Sequence, residues 1–481
     1  MGTAMVSFAV LCALLLRYRL VWGSFPWTNR RSPGESETAR YDPEALARDC
    51  QKLERSVRKR PRDASAWSGW GKALAALAAK KSGDEADQLY AQADEKYSAA
   101  LAIDHDYAPA ITGLVTVLSR RGLRKGGQEG RQLLIRACGL CERMAAYSSG
   151  HQSRDRLLHR LAFEYWGYRL IQLGWLSEID GADRVYAEAG EKFSAALAID
   201  PGHRGSECGR ADCFLWRALR HPGEAGRPFL LEARDAYAEL VRRFPNDKLG
   251  LAGWGLSLLW LGVRAPDAEA DSLYAQAEEK FRLGLAAAPA DESLLCYLAA
   301  VMGERACLGE AEECNGILEK ASQLVETALR EHPAYYLLLS IWGNILLVRA
   351  ERMPGPETDR LIEEAARRFE DDAQKVGDRN SILNGWASLL SAQAWRADGA
   401  ERVRLLEEAR NKFAEAESRT PGRAAYSLAC VAARLGEPEE CRQWLEKSRE
   451  PGIRISADRM ARDPALASVR DCDWFRRLLA K

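Results

Sequence analysis

The chain has 481 residues, 47% hydrophobic and 29% charged, enough apolar material for a large core and too much for a chain disordered by composition. Its 69 Lys and Arg balance 69 Asp and Glu, which argues against a nucleic-acid binder, whose affinity rests on neutralising phosphates. Ala, Leu, Arg and Glu dominate while Val, Ile and Thr are sparse, so the composition favours helix and leaves little material for sheet.

The first feature in chain order is "AMVSFAVLCALLL", Ala4–Leu16, thirteen residues without a charge. It is short for a membrane span, which needs about 20 apolar residues. It also lacks a basic leader, and no small-x-small cleavage site follows in "RYRLVWGSFPW". Three readings are open: a marginal membrane anchor, a signal-like segment, or an apolar helix packing on its own protein. Arg17, Arg19, Arg30 and Arg31 follow it and would keep the main body in the cytoplasm if the anchor is real. Residues 1–35 are therefore set apart as an apolar segment and linker. Residues 36–61, with "PEALARDCQKLERSVRKRP", read as one capping helix. Its basic end "RSVRKRPR" is read as cations at a helix C-terminus, with contact to acidic lipid as the functional reading.

From Arg62 to Arg449 one period organises the chain. "YAQADEKYSAALAID" at Tyr90–Asp104 returns as "YAEAGEKFSAALAID" at Tyr186–Asp200, and more loosely at Tyr274–Ala288. In this register a small residue falls at Ala93, Ala137, Ala189, Ala233, Ala277, Ala321, Ala365 and Ala409, with steps of 44 residues apart from one of 52. Four residues later stand Tyr97, Cys141, Phe193, Tyr237, Phe281, Val325, Phe369 and Phe413. Twenty-two residues before each alanine lies Gly71, Val115, Gly167, Ala211, Gly255, Ala299, Gly343 or Ala387, with Leu, Met or Phe three residues on. Trp-Gly occurs in alternate units, at Trp70, Trp166, Trp254 and Trp342, so the duplicated block reads as a pair of repeats. These spacings lie on one helical face. Each unit is a helix A with "WG-x-x-L" and a helix B with "A-x-x-x-F", closed by a proline such as Pro201, Pro245 or Pro289. No such unit buries its stripe alone, so units must stack.

The pattern resembles the tetratricopeptide repeat family: a small residue and a Leu or aromatic in helix A, Ala and an aromatic four apart in helix B, then Pro. The usual unit is about 34 residues, so each unit here carries about ten more. They are expected between helices A and B, as exposed turns such as "KKSGDEADQL" and "RAPDAEADSL". A ninth unit has only the short turn "LGEP". Residues 450–481 resemble the closing segment of bacterial arrays of this family, with Trp474, Phe475 and Leu478 placed to cover the last repeat. The resemblance implies an all-α solenoid, a superhelix of about nine repeats between N- and C-terminal caps.

The same register absorbs the patterns that could carry chemistry. "CGLC" (Cys138–Cys141) has a metal or redox spacing, but Cys141 occupies the aromatic slot and no second pair completes a site. The twelve cysteines follow no framework and read as reduced thiols, hence a cytoplasmic protein, with a membrane-associated array on the cytoplasmic side as the alternative. His105, His203 and His332 fall beside repeat ends and read as turn residues. No catalytic residue, metal site or cofactor is expected, and the protein reads as non-enzymatic.

Function then lies in surfaces. The resemblance implies a concave wall made by helix A. Counting in register puts Arg120, Tyr168, Asp212, Trp216, Trp260, Glu304, Asn344, Asn384, Tyr426 and Arg434 on it as exposed residues. That mixture fits a groove for a protein or peptide partner. The leading expectation is a scaffold or adaptor. A membrane-tethered assembly factor anchored by residues 4–16 is the second reading. A helical-repeat RNA binder is the third, disfavoured by the charge balance, and the oligomeric state is left open.

Overall fold

The computed structural model describes residues 43–81, 83–149, 156–177, 179–221, 223–308, 311–332, 335–373, 380–419, 424–448 and 457–479. The segment Ala4–Leu16 lies outside them. Among the described residues every regular element is a helix. The chain divides into two compact units that meet between Arg217 and Ala218, and each is described by itself.

In the N-terminal unit the single helix α1 (Pro43–Lys59) precedes the repeats. Helices A are α2 (Ala64–Ala78), α4 (Ala108–Lys125), α6 (Arg156–Trp175) and α8 (Arg204–Arg220), the last crossing the division. Helices B are α3 (Gly83–Ile103), α5 (Gly127–Ser149) and α7 (Ile179–Ile199). In the C-terminal unit α9 (Arg227–Arg243) is a B helix. The pairs α10 (Lys248–Arg264) with α11 (Asp267–Ala287), α12 (Glu292–Arg305) with α13 (Ala311–Glu331), and α14 (Tyr336–Arg352) with α15 (Pro356–Ala373) follow. They continue as α16 (Asn380–Arg396) with α17 (Gly399–Arg419), and α18 (Ala425–Leu435) with α19 (Pro438–Ser448). Two short helices, α20 (Ala457–Arg462) and α21 (Asp473–Leu479), end the array. The protein is an all-α, helical-repeat array of the tetratricopeptide type.

The repeated residues explain the stacking. In two repeats of the N-terminal unit the aromatic knob of helix B sits between two helix-A glycines, one in its own repeat and one in the next. A methyl group added to Gly167 would come within 2.7 Å of the Phe193 ring, and one on Gly209 within 2.4 Å. Tyr97 lies between Gly71 and Gly113 in the same way. Glycine lets the helix backbones meet the ring face directly, the close packing that small residues permit.

A second recurring contact joins helices A and B within a repeat. The lysine three residues after the helix-B alanine lies over the tryptophan of Trp-Gly. Lys96 Nζ is 4.5 Å from the Trp70 ring centroid, Lys192 3.9 Å from Trp166, and Lys280 4.5 Å from Trp254. Lys412 stands 3.5 Å over Trp386, and in the Trp342 repeat Arg368 takes the place at 5.7 Å.

Repeat entry is also written in register. Asp63, Asp247 and Asp291 cap helices A by accepting from backbone N–H groups three residues on, at 3.1, 3.0 and 3.2 Å, satisfying donors that a helix start leaves free. The array closes on a last cluster. Phe475 and Leu478 pack with Tyr426, Cys430 and Ala433, Trp474 lies against them half-buried, and the Tyr426 hydroxyl donates to Asp463 Oδ2 at 2.6 Å.

In all but one repeat, that of "RHPGEAGRPF", the extra ten residues are mostly not loops. Only Ala265 and Pro266 separate α10 from α11, and Ala397 and Asp398 separate α16 from α17. The insertion is spent on additional turns of helix B. Its apolar spacing runs backward from Ala93 and Tyr97 through Tyr90 and Ala86, all buried, so the added turns have a face to bury. Asp84 and Glu85 fall in the first turn of α3, where the helix dipole favours acid. Gly83, at φ +58°, makes the sharp entry that the sequence presents as a turn.

Candidate functional site

The inner stripe of helix A runs through positions three before, one after and five after the small residue of its motif. In the N-terminal unit it begins open. Lys72 is exposed, and Ala76, Thr112, Thr116 and Arg120 are half-buried. Arg120 donates to the Tyr90 hydroxyl at 3.0 Å with its guanidinium 6.0 Å from that ring centre. Tyr168 is half-buried, donates to the Gly205 carbonyl at 3.1 Å and meets the edge of Phe193. Asp212 and Trp216 are buried, and Trp216 packs 5.1 Å from Trp175.

In the C-terminal unit the stripe is closed, and the expected exposure fails there. Trp260 is 1% exposed, Glu304 0%, Asn344 1%, Asn384 3% and Tyr426 2%. Arg434 is half-buried, donates to the Ser391 carbonyl at 3.2 Å and lies 4.3 Å over Trp395. Burial lowers its guanidinium to about 10. One cause is local: α14 and α16 touch through backbone, since a methyl group on Gly343 would fall 2.1 Å from the Gly385 carbonyl oxygen. The other is composition. Every residue of α12 from Leu294 to Glu304 is buried, as befits a helix that is apolar on nearly all sides. Both side-chain amide atoms of Asn344 and the Asn384 carbonyl oxygen are buried without a hydrogen-bond partner among the described residues.

Two constellations follow no known motif. In the first, Arg160 Nη1 lies 2.8 Å from Glu164 Oε2 and 2.9 Å from His203 Nε2. Burial pushes Glu164 up to about 7 against the pull of Arg160, while burial and then Arg160 hold His203 down at about 4. In the second, an aspartate six residues before the helix-B alanine pairs with an arginine of the next helix A. Arg217 Nε is 2.9 Å from Asp183 Oδ1, Arg305 Nε 2.8 Å from Asp271 Oδ1, and Arg396 Nε 2.8 Å from Asp359 Oδ1. The signal was present, because Asp183 and Asp271 share one register position and Arg217 and Arg305 another. The first constellation had no such periodic signal.

Cys138 and Cys141 are both buried, and burial raises the Cys138 thiol to about 12, the state of a packing residue rather than a nucleophile. Among the described residues no group of three or more His, Cys, Asp and Glu is arranged to hold a metal ion. No described helix is long and apolar enough to cross a membrane. A groove of about 570 Å³ opens beside α15, α16 and α17, lined by Trp386, Arg396 and Arg404 with Asp359, Glu401 and Glu408.

The repeats, their aromatic knobs and the inner stripe define a tetratricopeptide-type protein. No protein-family model and no curated protein sequence matches the chain. Among solved structures it is similar to the human IFIT1 dimer with PPP-AAAA, at 14% identity over 83% of this chain and 76% of that one, TM-score 0.38. A tetratricopeptide repeat protein from Parabacteroides merdae ATCC 43184 matches at 14% identity over 62% and 98%, TM-score 0.36. Yeast Tom70 matches at 12% identity over 91% and 96%, TM-score 0.34.

Proposed function

We propose that this protein is a non-enzymatic scaffold that holds a protein or peptide partner against the inner stripe of its A helices. The observation that carries this reading is the variation along that stripe. Stacking positions repeat from unit to unit, whereas Arg120, Tyr168, Asp212 and Trp216 differ from their neighbours in register. A surface that reads one partner needs such variation, while stacking needs sameness. The stretch around Lys72, Thr112, Thr116 and Arg120 is accessible as it stands. Trp260, Glu304, Asn344, Asn384, Tyr426 and Arg434 can meet a partner only after the closed stripe is opened. The same reading places the array in the cytoplasm, in keeping with its eleven described cysteines, all free thiols.

The test is capture by the full chain followed by lysine cross-linking. A partner should cross-link through Lys72, and Arg120→Glu should reduce its capture at least tenfold. Cross-links only at outer helix-B lysines such as the exposed Lys320 would move the site off the stripe. Retention of nucleic acid in place of protein would remove the reading.

A further inference from the structure

The first helix, α1, carries two stripes on opposite sides. Leu46, Cys50, Leu53 and Val57 follow one another at steps of four, three and four residues. They face the array: Cys50 joins the apolar cluster of the first repeats, Leu53 lies against Gly69 of α2, and Val57 is buried. Arg48, Lys52, Arg55 and Lys59 repeat the same steps two residues later, about 200° around the helix. Arg62 extends the row three residues further, just past the helix end. All five cations are exposed, and the four on the helix span about 17 Å. The nearby acids are already committed. Glu44 lies 4.0 Å from Arg48, Asp49 3.3 Å from Lys52, Glu54 2.7 Å from Arg58 and Asp63 3.0 Å from Arg60. Arg55, Lys59 and Arg62 carry no ion pair among the described residues. The helix dipole favours cations only in the last turn, so it accounts for Lys59 but not for a row that starts at Arg48.

We propose that this ridge docks the first cap of the array on an anionic membrane surface, its cations meeting acidic lipid headgroups. The helix packs chiefly on α2, which leaves its cationic side to solvent. That side is convex and offers a row of charges, so charge alone selects what it meets. Headgroups move in the plane of a bilayer and gather under such a row, and each Lys or Arg at an anionic surface contributes about fivefold in affinity. The apolar side of α1 is already buried on its own protein, so it cannot anchor the helix in a partner's groove. A nucleic acid finds little to stack on. Trp67, which meets the chain at Pro61, donates its indole N–H to the Pro61 carbonyl at 2.9 Å and stacks on Trp70, whereas single-stranded recognition needs free aromatic platforms. Docking through α1 is independent of the inner stripe and of the scaffold reading above.

Sedimentation of the full chain with vesicles provides the test. Vesicles of phosphatidylcholine with phosphatidylserine should bind it at least tenfold more tightly than phosphatidylcholine alone, and the difference should vanish between about 0.1 M and about 1 M NaCl. Equal binding to both vesicles means apolar contact and overturns the proposal. An Arg55→Gln, Lys59→Gln, Arg62→Gln variant should lose about 100-fold, while Arg55→Lys, Arg62→Lys should bind as the wild type does. Arg242→Gln, Arg330→Gln, Arg404→Gln removes the same charge from exposed residues of the C-terminal unit and should leave binding intact. An equal loss there means that net charge decides, and the ridge has no special role. Should the first variant melt early, acetylation of the unmodified chain decides: phosphatidylserine vesicles should protect Lys52 and Lys59 at least tenfold and leave exposed Lys320 reactive. Unprotected Lys59 overturns the proposal. Retention of a single-stranded RNA oligonucleotide in place of the vesicles, lost in the first variant, assigns the ridge to nucleic acid instead.

Discussion

Lys192 stands 3.9 Å above the Trp166 ring, a contact between the two helices of one repeat that recurs as Lys280 over Trp254 and Lys412 over Trp386. The lysine stem covers the indole while its ammonium faces the ring's negative quadrupole. Trp254 is half-buried, so the lysine is part of its cover. Lys280→Ala should therefore lower stability by about 0.5–1 kcal/mol, whereas exposed Lys320→Ala should change it by less than about 0.5 kcal/mol. Urea midpoints of the two variants check this. Equal midpoints would mean that the recurring geometry carries no energy.

The glycine contacts give a sharper pair. Gly209→Ala would put a methyl group 2.4 Å from a ring carbon of Phe193 and should destabilise by about 1–3 kcal/mol through overpacking. Gly190→Ala, on α7 of the same unit, meets nothing within 4 Å. It should be neutral or stabilise by up to about 1 kcal/mol, since alanine is the better helix former. Thermal melts of both variants decide the matter. Opposite signs support the register of aromatic knobs, and a destabilised Gly190→Ala would contradict it.

The register was legible because stacking demands sameness: Ala93, Ala189 and Ala277 announce their roles by recurring. The added helical turns were legible too, through the Ala86, Tyr90, Ala93 and Tyr97 spacing, but Gly83 and Pro266 read more loudly as turns. They are short turns, from which helix B starts earlier than its motif suggests. The closure over Trp260 and Glu304 was not legible. Helix periodicity tells which face a residue occupies, while exposure depends on what else lies on that face.

That reassignment reverses one expectation. If "RAPDAEADSL" were an exposed loop, its shortening would be silent. It instead holds the first turns of α11 and buried Ala270. Replacing it by the four-residue "LGEP" turn should remove part of the face that α11 packs on α10 and lower the melting temperature by several degrees, as a loss of about 2 kcal/mol or more does. An unchanged melt would restore the loop reading.

The last prediction concerns acid. His203 occupies the position where sister repeats carry Asp247 and Asp291 as helix caps. Its Nδ1 is 3.1 Å from the Ser206 backbone N–H, and its Nε2 is 2.9 Å from Arg160 Nη1. Donors therefore face the ring from both sides. A neutral ring can accept from one of them, while a charged ring can accept from neither and adds a cation beside Arg160 and Arg204. Burial and these cations hold its pKa at about 4, against the opposing pull of Asp200 and below the 6.5 of a free histidine. A histidine depressed in the folded state contributes fully above 6.5, and that contribution is lost as pH falls from 6.5 toward 4, because the unfolded chain then binds the extra proton. The shift corresponds to at most about 3.5 kcal/mol at about 1.4 kcal/mol per unit, and solvent screening of the partly exposed ring makes the loss smaller. Glu164, raised to about 7, works in the opposite sense, since the folded state takes up its proton first as pH falls from 7 to 4.5. The wild-type curve mixes the two effects. His203→Asn keeps a capping acceptor and removes only the histidine, so the difference between the two melting curves isolates it. The variant should gain on the wild type steadily between pH 6.5 and 4 and run parallel to it above pH 7. Parallel curves throughout would show that His203 is solvated and caps nothing.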